Sequence, residues 1–154
     1  MMPYNRIIVS VAKGVVIMES SLIKERIDAL FVTGRYNCTM TVVAILSESF
    51  EFAVEPQVLS AAQAMPGAGG VGGLCGLVSG ALMFIGVWGG AHGLHRSVLR
   101  PVSSGLTQAI QERFGSIDCR DLRLEEGCGS LAQQILELVD PYLHERLPLL
   151  LLGG

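Results

Sequence analysis

Between Glu55 and Arg96 the chain carries no Asp, Glu, Lys or Arg. Inside that window Gly67-Ala68-Gly69-Gly70-Val71-Gly72-Gly73 runs into an apolar stretch from Leu74 to Trp88. Glycine adopts left-handed backbone angles cheaply, so the first part predicts a loop of unusual geometry. The second predicts a helix apolar on all sides, which must be buried in protein or in lipid. Gly72, Gly76 and Gly80, with Gly86 and Gly90 beyond, space small residues four apart, a flat stripe suited to close helix packing. Val71 to Gly90 approaches the roughly 20 residues a bilayer span needs. Yet the stretch is glycine-heavy and has no positive charge on its Gly67 side, so it reads as the central helix of a soluble bundle. A membrane-associated or oligomerising module packed through the stripe is the alternative.

The flanking segments are helical in pattern. Leu22, Ile23, Ile27, Leu30 and Phe31 share one face, and Gly34 stops that helix. Asn37 is placed to cap a second helix from Cys38 to about Phe50. Pro56 opens a third, which ends at Met65-Pro66. Leu94 to Phe114 forms a further helix, with Pro101 expected to kink it or start a new segment. Ser116 to Gly127 is a polar loop with a short turn around Cys119. A last helix runs from about Cys128 to Val139 and weakens at Asp140-Pro141. The expected fold is all-α, one compact bundle of five or six helices around a buried glycine-rich central helix. Residues 1–17 read as an N-terminal extension, 18–147 as the domain and 148–154 as an apolar tail.

With 11 basic residues against 14 acidic and no basic block, nucleic acid is excluded as a partner. No signal peptide is evident, so a cytoplasmic address is expected, and thiols stay reduced there. Four cysteines then point to metal binding or catalysis: Cys38, Cys75, Cys119 and Cys128. None of their separations is the C-x-x-C of zinc ribbons or ferredoxins. However, Cys38, Cys75 and Cys128 each fall at a predicted helix start, where partial positive charge and free N–H groups stabilise a thiolate. The plain alternative is four small core residues. The glycine loop is a candidate anion nest that lets backbone approach the Cys75 sulfur, with Gly73, Gly76 and Gly80 as its cofactor-facing positions. Its formal G-x-G-x-x-G match lacks the preceding strand and the later acid of a dinucleotide site. His92 and His95 read as surface-loop histidines, and His144 as isolated and exposed. No nucleophile elbow, H-E-x-x-H or Walker loop is present.

Taken in order, Asn37-Cys38, the glycine run into Cys75-Gly76-Leu77-x-x-Gly80-Ala81-Leu82-Met83, Phe114-Gly115-Ser116-x-x-Cys119-Arg120-x-Leu122 and a final Cys128 form a pattern. It resembles the C-GCAxxG-C-C family of putative redox-active proteins over roughly Met18 to Val139. Leu77 departs from that family's C-G-A-x-x-G motif, where alanine stands. The resemblance implies that the four cysteines act as a set, as catalytic thiols or as metal ligands. The set would hold zinc or an iron–sulfur cluster, or cycle between dithiol and disulfide. A redox partner protein is expected, and a homo-oligomer is open.

Overall fold

The computed structural model describes residues 17–153, so the expected extension over 1–17 falls almost wholly outside the described residues. Among the described residues every regular element is helical, as expected. In chain order these are α1 (Ser20–Ile27), a π-helical turn (Asp28–Val32), α2 (Cys38–Ser49) and α3 (Pro56–Ala61) with a 3-10 turn (Ala62–Ala64). Then follow a four-residue helical turn (Gly67–Gly70), broken by left-handed angles at Ala68 and Gly69, α4 (Gly76–Ala91), α5 (Arg96–Phe114), the short α6 (Cys119–Leu122) and α7 (Gly129–Leu150).

The centre of the bundle is α4. It buries Leu77, Val78, Ala81, Phe84, Ile85 and Trp88, and packs on α2, α5 and α7. Its most extensive partner is α2, and the two run parallel: Cys38 lies beside Gly76, Val42 beside Gly80, and Phe50 against Phe84 at 5.1 Å. The glycines make that approach feasible. A Cβ on Gly80 would stand 2.7 Å from the Thr39 carbonyl oxygen and 2.9 Å from Val42 Cβ. So the near half of the stripe serves packing within this chain, whereas Gly86 and Gly90 face open space. Among the described residues no helix is long and apolar enough to cross a membrane.

The last helix continues where it was expected to weaken. α7 passes through Pro141 and Pro148 and ends at Leu150, well past Val139. An internal proline costs about 3 kcal/mol through a lost hydrogen bond and a ring clash. The continuation buries Leu143 and Leu147 completely, and each such side chain returns about 1.5–3 kcal/mol. Pro101 likewise sits inside a single α5 rather than dividing it.

The same continuation overturns the expectation for His144. Its side chain is 10% exposed and stacks on Phe50 with ring centres 3.8 Å apart. Asp140, one turn earlier and 1% exposed, accepts hydrogen bonds from Ser49 Oγ (2.5 Å) and from the Met18 backbone N–H (2.7 Å). Since Ser49 gives its proton to Asp140, His144 Nε2 donates to Ser49 Oγ at 2.8 Å. This network ties α7 to α2 and to the segment before α1. His92 and His95 are exposed as expected; His92 lies 4.0 Å over Trp88, and His95 caps α5 by accepting from the Ser97 N–H.

Candidate functional site

The cysteines occupy one kind of position. Cys38 is the first residue of α2 and Cys119 the first of α6, while Cys75 and Cys128 are the N-cap residues of α4 and α7. All four thus stand at helix starts, including Cys119, which the sequence placed in a loop. All four are free thiols. Cys75 is buried at 5% exposure, and the other three are half-buried.

The glycine-rich loop brings two of them together. Gly67, Gly69, Gly70 and Gly72 have positive φ, and so does Ala68 at 53°. This folding of the chain aims Leu74 at Asp118 in an isolated antiparallel bridge. The Cys75 N–H donates to the Ile117 carbonyl at 2.8 Å, and the Cys119 N–H to the Gly73 carbonyl at 2.7 Å. Cys75 and Cys119 therefore stand diagonally across the bridge, one on each side of it. A Cβ on Gly67 would lie 3.7 Å from the Cys119 sulfur.

Cys38 reaches the cluster through Gly76. A Cβ there would overlap the Cys38 sulfur and stand 2.8 Å from Thr39 Oγ1 and 3.2 Å from Pro66 Cα. Asn37 holds the α2 start in place: its side-chain oxygen accepts from the Met40 N–H at 2.9 Å, and its amide donates to the Ala62 and Gln63 carbonyls. Of the three glycines singled out in the sequence, Gly76 borders a thiol and Gly80 contacts α2. Gly73 bonds to Cys119 through its carbonyl.

Within the glycine loop the N–H groups of Gly70, Val71 and Gly73 bond to the Pro66 and Gly67 carbonyls, so these three donors are taken up by the loop itself. The helix starts do not leave Cys38 and Cys75 as thiolates. Burial pushes the Cys38 thiol up from its ordinary 9.0 to about 11; nearby Cys75 and Cys128 add to the rise, and the Thr39 N–H and hydroxyl oppose it. Burial also raises Cys75, against the N–H groups of Leu77 and Val78, and nearby Cys119 and Cys128 raise it further. Desolvation outweighs the helix-start donors at both sulfurs because each is withdrawn from water.

These mutual effects place Cys75 within electrostatic reach of the other three thiols. Among the described residues, no three His, Cys, Asp or Glu side chains are arranged to hold a metal ion.

An all-helical protein with four cysteines at helix starts, one of them reached through a glycine loop, is thus the class this chain defines. The family model described as "Putative redox-active protein (C_GCAxxG_C_C)" matches residues 36–142, and the chain belongs to that family. No curated protein and no solved structure matches it.

Proposed function

We propose that this protein carries out redox chemistry by thiol–disulfide exchange at Cys38, Cys75, Cys119 and Cys128. The observation that supports this is the central place of Cys75: one buried thiol with three half-buried thiols around it. A buried sulfur does not meet an external molecule directly, but it receives electrons from or passes them to a neighbouring thiol. Membership of a redox-active family agrees with this reading. A protein partner suits it too, because Val32, Met65, Val71 and Leu124 are exposed apolar side chains on the segments that flank the cysteines.

Zinc or an iron–sulfur cluster on the same thiolates would need at least three of them to turn toward one point. The deciding experiment is anaerobic purification with metal analysis, a visible spectrum and thiol counting. Thiol exchange predicts no stoichiometric metal, and two thiols lost under a mild disulfide oxidant and restored by a dithiol. Stoichiometric zinc or iron, or four thiols that never oxidise, overturns it.

A further inference from the structure

We infer that the disulfide of the oxidised protein joins Cys38 to Cys75, with half-buried Cys38 as the entry thiol and buried Cys75 as the thiol that resolves. This rests on the thiol-exchange reading and adds the pairing and the order of attack.

Geometry selects the pair. The Cys38 sulfur sits over Gly76, the residue next to Cys75, in the space a side chain would need. The parallel packing of α2 on α4 brings both helix starts to the same level, so both sulfurs lie at the first turn of α4. The competing pair, Cys75 with Cys119, stands diagonally across a bridge whose two hydrogen bonds, 2.8 and 2.7 Å, fix the backbone on both sides; no glycine beside Cys75 opens a space that the Cys119 sulfur fills, as Gly76 does for Cys38.

Exposure sets the order. An external disulfide, either a small-molecule disulfide or one in a protein partner, meets Cys38 first because Cys75 is buried. The Cys38 thiolate attacks one sulfur of that disulfide and expels the other as a thiolate. The Cys75 thiolate then attacks the Cys38 sulfur and expels the second half. Two S–H bonds are lost from the protein and one S–S bond forms. The two electrons reduce the external disulfide, and the two protons end on the thiols it yields. The Thr39 hydroxyl and N–H at Cys38, with the Leu77 and Val78 N–H groups at Cys75, steady each thiolate as it forms.

The test is peptide mapping by mass spectrometry of the full chain after treatment with oxidised glutathione, free thiols having been blocked. The expected product is a Cys38–Cys75 linked peptide with Cys119 and Cys128 alkylated. A C119S/C128S variant, checked for helicity, should still lose both remaining thiols, and C75S should trap glutathione on Cys38. Linkage of Cys75 to Cys119 or Cys128 overturns the pairing and leaves thiol exchange standing. Trapping on Cys119 or Cys128 rather than Cys38 in C75S overturns the order of attack. Failure of any thiol to oxidise overturns pairing and function together.

Discussion

At the scale of single residues, the site depends on what Gly76 lacks. Any side chain there would occupy the place of the Cys38 sulfur and crowd Thr39 and Pro66. Gly76→Ala should cost about 1–3 kcal/mol, the usual range for overpacking, read as a lower urea midpoint. Its Cys38 should also become easier to alkylate as the sulfur is pushed outward. The Cys38 thiol itself carries a pH signature. Because its pKa stands at about 11, little thiolate exists at neutral pH. Its alkylation rate should climb about tenfold per pH unit between pH 7 and 10, since only the thiolate reacts. Peptide-resolved alkylation measures this, and a plateau near pH 9 would contradict the effect of burial. Asp140 is a second residue of this kind. Asp140→Ala would leave the Met18 N–H and the Ser49 hydroxyl without their buried acceptor. A loss of about 2–4 kcal/mol is expected, seen in thermal or urea unfolding.

At the scale of elements, the glycine stripe divides into two halves with opposite responses. Gly80 meets the Thr39 carbonyl and Val42, so Gly80→Ala should force α2 away from α4 and destabilise the fold. Gly86 has open space around it, and alanine there should stabilise α4 by about 0.5–1 kcal/mol through lower backbone entropy in the unfolded chain. The pair of unfolding midpoints, moving in opposite directions, checks the packing of α2 on α4. Helix limits show how far local pattern reaches. Asn37, Pro56, Gly34 and Gly115 mark ends correctly, because caps and breakers act on their own backbone. Pro141 misleads for the complementary reason. A proline penalty is local, but the burial of Leu143 and Leu147 that outweighs it comes from helices distant in sequence. His144 follows from that same misreading. Its i,i+4 spacing from Asp140 is visible in the chain, but a helix carried past Pro141 is needed to lay it on Phe50.

At the scale of the whole molecule, the buried thiols link folding to pH. In the folded state Cys38 holds its proton up to about pH 11, whereas its ordinary value is 9.0. The neutral form is the one that suits the fold. The contribution to stability is therefore complete below about pH 9 and is lost as pH rises toward about 11, where the unfolded chain binds fewer protons. Cys75 is shifted the same way and adds to the decline. Urea midpoints measured from pH 8 to 11 should fall, and Cys38→Ser should flatten the curve.

What the sequence determined by itself was the helical class and the central glycine-striped helix, which follow from periodicity and from the absence of charge between Glu55 and Arg96; that the four cysteines act as a set is what the family resemblance implies. Which thiol lies at the centre was decided only in three dimensions. Cys75 and Cys119 are brought to either side of a bridge between Leu74 and Asp118, and Cys38 reaches them through the missing side chain of Gly76. The charge state of Cys38 and Cys75 was decided there too. A helix start favours a thiolate and is legible locally. The desolvation that defeats it is produced by neighbours distant in the chain, and it exists only once they are packed.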